Sequence, residues 1–313
     1  MFHRVLFIFL LICVTAIAQT SKGPANAEAD IIKLQILLSR AGFSTGEIDG
    51  KFGNNTKKAL VAFQQARKLQ ITGRADGPTW EALGKGTPPV VPYRITAADV
   101  KGPFVDRIPE DFMEKANLPS LGYTSPLEAV AEKFHVEPPL LKRLNPKASF
   151  TEGEEITVPN IVHPKPQPKN APTKQLAPVT IKVSGKRSDL TVQNVAGDVL
   201  FYAPVTSGSE HDPLPIGRWK VKAIVRNPTF HYNPDLFWDA DPSHAKAKIL
   251  PGPNNPVGVV WIDLSAPHYG IHGTPEPGKI GYSESHGCIR LTNWDALQLA
   301  SIVAPGTEVI FEQ

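Results

Sequence analysis

The sequence predicts a multidomain chain: a small all-α unit first, a mixed α+β unit in the middle, and a mostly antiparallel β unit with one or two helices last. Three observations carry that reading. Apolar residues recur at helical spacing between Ile31 and Leu83. From Val179 onward they alternate with polar residues at the period of a strand. Proline-rich segments separate the pieces, and such segments run extended without a core of their own.

Two of these segments set the boundaries. Residues 84–92 form a short stiff spacer, and residues 159–178 hold six prolines in 20 positions. Folded units are therefore expected at 29–84, 93–159 and 176–313, with a Pro-rich linker at 160–175. Residues 1–18 read as a secretory signal. Arg4 supplies the positive start, Val5 to Ala16 an apolar run too short to span a bilayer, and Ala16-Ile17-Ala18 a cleavage site. Whether the signal is cleaved or kept as an anchor is left open by the sequence. The expected location is across the cytoplasmic membrane, in the periplasm or cell wall.

Composition narrows the function. The formal net charge is +3, and removal of Arg4 with the signal would leave +2. That is too little to favour nucleic acid as a partner. The chain has two cysteines. Cys13 would leave with the signal, so Cys288 would stand alone. An unpaired cysteine in an oxidising compartment pairs between molecules, is a free reactive thiol, or is an inert buried residue.

The elements follow in order. Ile31, Leu34, Ile36, Leu37 and Leu38 form one helix face, stopped at Gly42. A turn-rich loop spans Glu47 to Gly53. Asn55 or Thr56 is expected to cap a second helix through Ala59, Leu60 and Phe63, and a third follows Asp76-Gly77-Pro78-Thr79. This run resembles the helical peptidoglycan-binding domain family, through Gly42-Phe43, Ile48-Asp49-Gly50, Phe52-Gly53, Phe63-Gln64, Thr72-Gly73 and Asp76, among others. In the middle unit, Ser125 caps a helix to Phe134, Pro138 to Leu144 forms a second, and Glu152 to Pro159 reads as a turn and a short strand. The helix pair followed by G-x-x-I-x-V-P resembles a degenerate LysM module, a β-α-α-β glycan-binding fold, with a long insert at about residues 100–120. In the last unit, strands are expected at 179–183, 189–194, 199–205, 219–225 and 257–264. A helix capped by Asn293 and a closing strand at 308–311 complete it.

The candidate chemistry lies in Ile271-His272-Gly273-Thr274 and Ser285-His286-Gly287-Cys288-Ile289-Arg290-Leu291. A cysteine reacts as its thiolate, and a nearby imidazole can take the proton. His272 follows an apolar strand end and can reach Cys288 from an adjacent strand, so it is read as the base. His286 is read as an orienting or substrate-side group. Gly287 permits unusual backbone angles, and its amide with that of Cys288 can face a developing oxyanion. Arg290 offers a fork for a substrate carboxylate or a local acidic side chain, and Ser285 is grouped with it as substrate-binding. No metal site and no cofactor are called for.

The run from Ile271 to Ala296 closely resembles the signature of L,D-transpeptidases with the YkuD-type catalytic domain. The turn-and-strand Pro213 to Trp219 and the loop Leu250 to Gly258 extend the likeness. The resemblance implies a YkuD-like sandwich and an acyl transfer on peptidoglycan stem peptides. Cys288 would attack the third residue's carbonyl with His272 as general base, and the terminal D-alanine would leave a thioester. A stem amine would then make a 3→3 cross-link, or an acceptor protein would be attached. The Gly273 carbonyl would orient His272. Water as acceptor would give an L,D-carboxypeptidase, and a cysteine peptidase trimming stems is the other alternative. Peptidoglycan is the expected partner and a monomer the expected state. The N-terminal unit is expected to act as a tether, with the linker giving the catalytic unit reach.

Overall fold

The computed structural model describes residues 24–84, 88–162 and 177–313. The signal reading at 1–18 lies outside the described residues, as does most of the Pro-rich linker. Among the described residues no helix is long and apolar enough to cross a membrane.

The N-terminal domain is three helices: α1 (Pro24–Arg40), α2 (Asn54–Ala66) and α3 (Gly77–Leu83). Leu34, Leu38, Phe43, Ala59, Leu60 and Phe63 form its core. The second helix starts earlier than expected. Its N-cap is Gly53, with no side-chain cap bond, and Asn55 and Thr56 fall inside the helix. Both are diverted to other partners: Thr56 Oγ1 accepts from Gln35 at 3.1 Å, and Asn55 Nδ2 donates to the Ile280 carbonyl at 2.9 Å. Asp76 caps α3 by accepting from the Thr79 amide.

The middle domain runs β1 (Val90–Arg94), α4 (Ala97–Val100), α5 (Phe112–Ala116), α6 (Pro126–Lys133), α7 (Pro138–Leu144) and β2 (Glu155–Pro159). Strands β1 and β2 pair antiparallel along their whole length. The first strand therefore begins inside the segment expected to be a spacer. Val90 and Val91 pack on the middle core, and that burial recruits them into a strand. The residues from α4 to Leu121 form the insert between β1 and the helix pair.

The C-terminal domain holds β3 (Val179–Ser184), β4 (Asp189–Asn194), β5 (Val199–Pro204), β6 (Thr206–Ser207), β7 (Gly217–Arg226), β8 (Phe230–Tyr232), β9 (Ala247–Ile249), β10 (Val260–Leu264), β11 (Gly270–His272), β12 (Ile289–Arg290), α8 (Asn293–Ile302) and β13 (Glu308–Glu312). Nine of these strands run in the order β5-β4-β3-β13-β7-β10-β11-β12-β6. The long strand β7 pairs with β13 through Gly217–Lys220 and with β10 through Val221–Arg226, so it joins two half-sheets. The apolar core between them includes Ile181, Val192, Val221, Ile262, Ile271, Ile289 and Leu299. Only β3–β13 and β11–β12 are parallel. Helix α8 is capped by Thr292, whose side chain accepts from the Asp295 amide, and not by Asn293. The Asn293 amide group instead bonds outward, its Oδ1 accepting from the Val259 amide and its Nδ2 donating to Glu132 and to the Pro253 carbonyl.

The three domains do not sit as tethered units. Gly42–Ser44 lie along β5: the Ser44 amide donates to the Tyr202 carbonyl and the Tyr202 amide to the Gly42 carbonyl, each at 2.8 Å. Tyr202 itself is buried in the N-terminal core, stacked near Phe43. Ile32, Ile36 and Ile48 join the middle domain's core together with Trp294 from α8. Shared cores of this kind fix the domains against one another. The insert also has a seat: Phe112 packs on Phe230, Tyr232 and Phe237 of the C-terminal domain, and Asp111 accepts from His244 at 2.7 Å.

Candidate active site

Strands β11 and β12 lie side by side and parallel, with Ile271 opposite Ile289 and His272 opposite Arg290. Both isoleucines are fully buried in the sandwich core. Side chains alternate across a sheet, so His272, Arg290 and Cys288 all project from the other face. The histidine strand and the cysteine strand are thus neighbours, as their spacing in sequence suggested. Neither segment needs to be long. The two-residue ladder is anchored by its isoleucines and by the Leu291 amide donating to the His272 carbonyl at 2.8 Å.

His272 is 4% exposed. Its Nδ1 lies 2.6 Å from the Gly273 carbonyl and donates to it, which leaves Nε2 as the acceptor. Burial holds the imidazole down at about 3, and the positive charge of Arg290 acts in the same direction, while the Gly273 bond opposes them. The ring is therefore a neutral base at physiological pH. Trp261, its antiparallel partner on β10, stacks on it with centroids 5.4 Å apart and planes 21° apart.

Cys288 is half-buried and unpaired. Its thiol donates to the His268 carbonyl at 3.7 Å. Burial pushes the thiol above the usual cysteine range, with the Gly270 backbone and Arg290 pulling the other way. A raised thiol beside a depressed imidazole makes the resting pair neutral, not a thiolate–imidazolium couple.

The glycines are required by what packs on them. Gly287 has φ +92°, and a Cβ there would meet the Tyr269 ring at 2.8 Å. A Cβ on Gly273 would lie 2.2 Å from Asn293 Oδ1. The Arg290 side chain makes no hydrogen bond or ion pair among the described residues, although burial lowers its pKa and Cys288 and Glu276 act against that. Its fork is free for an anionic group. Ser285 differs from its expected substrate-binding place. It is buried, its Oγ donates to the Cys288 carbonyl at 2.7 Å, and it accepts from the Gly208 amide at 2.8 Å. Both capacities of the hydroxyl are used in pinning the cysteine loop.

His286 is held by the loop between β8 and β9. Its Nε2 sits 2.8 Å from Asp239 Oδ1, and the edge of Phe237 packs 5.0 Å from its ring. Asp239 and Trp238 belong to the loop between β8 and β9, and His211 stacks on Trp238 at 4.3 Å. Sequence reasoning missed Trp261, Tyr269 and Asp239. Trp261 carried a partial signal, since it stands in the expected strand that leads to the histidine; Asp239 carried none, because its contact with His286 crosses 47 positions.

Comparison with known proteins places this architecture. The L,D-transpeptidase catalytic domain family model (YkuD) matches residues 178–311, and a peptidoglycan binding domain model matches residues 27–83. The Bacillus subtilis (strain 168) protein YkuD, classed by name with the L,D-transpeptidases, is 30% identical over 185 residues, which cover 58% of this chain and 91% of that one. The chain belongs to the L,D-transpeptidase family. It is thus an acyltransferase of a family of peptidoglycan-modifying enzymes. YbiS of Escherichia coli (strain K12), also classed by name as an L,D-transpeptidase, is 28% identical over 199 residues, 61% of each chain. A solved L,D-transpeptidase from Mycobacterium smegmatis is 23% identical over 43% of this chain and 58% of that one, with a TM-score of 0.35.

Proposed function

We propose that this L,D-transpeptidase is a secreted enzyme that works on peptidoglycan stem peptides in the periplasm or cell wall through a thioester on Cys288. The observation that carries the reading is the shared face of Cys288, His272 and Arg290 on the parallel pair β11–β12.

The chemistry follows from the resting charges. As Sγ of Cys288 bonds to the carbonyl carbon of the stem's third residue, its proton passes to Nε2 of His272. The resulting imidazolium is held by the Gly273 carbonyl. The amides of Gly287 and Cys288 stabilise the oxyanion. The C–N bond to the terminal D-alanine breaks, and the amine leaves with the proton from His272. An amine of a second stem, deprotonated by the same imidazole, then attacks the thioester and restores the thiol. The product is a 3→3 cross-link, or an attached protein where the acceptor amine is a protein's. Arg290 holds the donor's carboxylate. Water in place of the amine makes the enzyme an L,D-carboxypeptidase.

The signal-like residues 1–18 support export, and the N-terminal domain supports contact with the wall. The strand–helix–helix–strand order of β1, α6, α7 and β2 supports a degenerate LysM-like module that binds glycan. Mass spectrometry of purified muropeptides after incubation tests the reaction: dimers joined through two third residues are expected. A Cys288→Ala protein that still forms a covalent carbapenem adduct would refute the assigned nucleophile.

A further inference from the structure

Helix α6 of the middle domain meets the catalytic domain close behind His272. Glu132 on α6 is half-buried, and its carboxylate accepts from the Tyr123 hydroxyl at 3.1 Å. It also accepts from Asn293 Nδ2, at 3.2 Å to Oε1 and 3.1 Å to Oε2. Among the described residues it forms no ion pair. Asn293 begins α8 and is 2% exposed. Its Nδ2 also donates to the Pro253 carbonyl at 3.0 Å, and its Oδ1 accepts from the Val259 amide at 3.1 Å.

The two ends of that amide are not interchangeable. A carboxylate accepts, so Glu132 draws the nitrogen to itself and leaves the oxygen on the Val259 side. Turned over, the oxygen would meet the carboxylate and the nitrogen would meet the Val259 N–H, acceptor against acceptor and donor against donor. The oxygen so placed lies against Gly273 and Gly258, and leaves neither of them room for a Cβ. Gly273 is therefore held twice: by Asn293 packed on it, and by its own amide donating to the Val260 carbonyl at 3.2 Å. Its carbonyl is the group that accepts from His272 Nδ1. The contacts run from Glu132 through Asn293 and Gly273 to His272, across a domain boundary.

Docking alone does not call for this acid. Nearby, the Asn254 amide donates to the Leu121 carbonyl at 3.0 Å, and Asn254 Nδ2 to the Gly122 carbonyl at 2.9 Å and Glu128 Oε1 at 2.8 Å. Those bonds join the same two domains without touching Asn293 or Gly273.

We propose that Glu132 is a positioning residue for the base: it fixes the Asn293 amide, which seats Gly273 so that its carbonyl holds His272 with Nδ1 protonated and Nε2 bare. The inference rests on the role of His272 proposed above. The middle domain then completes the active site, whatever it binds in the wall.

The test uses the full chain with nitrogen-15 in its histidine rings, the His272 signals being identified by their loss in His272→Gln. Long-range proton–nitrogen spectra tell a protonated ring nitrogen from a bare one. The wild type should show one of each. In Glu132→Ala and Glu132→Met, which lack the acceptor, the two signals should move toward each other as the tautomers mix, and carbapenem acylation of Cys288 should slow about tenfold. Glu132→Gln keeps an oxygen for Asn293 and should restore both readouts. Glu128→Ala removes the neighbouring bond to Asn254 and should change neither. Mixed tautomers in the wild type, an unchanged ring in the acceptor-free variants, no recovery in Glu132→Gln, or an equal effect of Glu128→Ala would overturn the proposal. Spectral dispersion reports folding: should one acceptor-free variant unfold, the other carries the comparison, and unfolding of both would make Glu132 structural and overturn the proposal as well. Absence of acylation in the wild type would refute the Cys288 reading, while the ring spectra still decide this one.

Discussion

Trp261 covers His272 and Gly270 at once. It stacks on the imidazole, and the space a Cβ would need on Gly270 is taken by its ring at 2.4 Å. The glycine two residues before the histidine is thus a seat for the tryptophan. Gly270→Ala is expected to push Trp261 off His272. A fall in kcat of roughly tenfold or more, about 1.4 kcal/mol of barrier, is expected for both Gly270→Ala and Trp261→Ala. Steady-state kinetics on a soluble stem tetrapeptide measures it. An unchanged kcat in both variants would show that the stacking does not position the base.

The neutral resting pair predicts how the thiol reacts with a simple electrophile. A thiolate–imidazolium couple alkylates at a nearly constant rate across neutral pH. Here the thiol is raised and the imidazole already deprotonated above about 3. The rate of Cys288 alkylation by iodoacetamide should therefore climb steadily with pH through 7 to 9, tenfold per unit below the thiol's pKa. Timed mass spectrometry follows it; a flat profile would contradict the neutral pair.

Asp295 lies fully buried at the junction of the three domains, accepting from Ser44 Oγ at 2.9 Å and Thr292 Oγ1 at 2.8 Å, with His135 Nε2 at 4.0 Å. Burial raises its carboxyl to about 7, against the two hydrogen bonds. A raised acid contributes stability that is present below its unfolded pKa near 4 and is lost as pH rises through 7. His135, held at about 3 by burial, acts on the other side and loses its contribution as pH falls from about 6.5. Asp295→Asn keeps the acceptor for Ser44 and Thr292 and removes the titration. Between pH 4 and 7 its Tm should fall less, or rise more, than the wild type's, which differential scanning calorimetry resolves.

Tyr202 belongs to the catalytic sheet in sequence and to the N-terminal core in space. Tyr202→Ala should cost about 3 kcal/mol, as for other large aromatic truncations in a core. Removing residues 24–84 should lower the stability of the remaining chain as well as its affinity for isolated peptidoglycan. Denaturant unfolding and sedimentation with sacculi report the two effects separately.

Much of the fold was legible because its signals are local. Alternation placed β3, β4 and β5 to within a residue, and Ser125 announced its helix as a cap. Errors arose where a side chain had a distant use. Asn55 and Asn293 look like caps, but each is engaged by another domain. Val90 and Val91 look like spacer because their partners lie at Val158 and Pro159. The docked arrangement was invisible for the same reason: prolines between units say nothing of what the units' faces do. In the site, the histidine and cysteine segments could be read as neighbours from their apolar strand ends. Ser285 could not be told from a ligand contact, since its two hydrogen bonds depend on where Gly208 sits.

An outermost strand normally leaves one row of amides and carbonyls exposed, an invitation to pair with another molecule. Here the row on β5 is met at Tyr202 by Gly42 and Ser44 of a different domain. Chimeras that trade residues 24–84 for another wall-binding module would uncover that edge. A successful graft must bring a segment that takes over both bonds to Tyr202, or it will yield a chain prone to self-association however well each half folds.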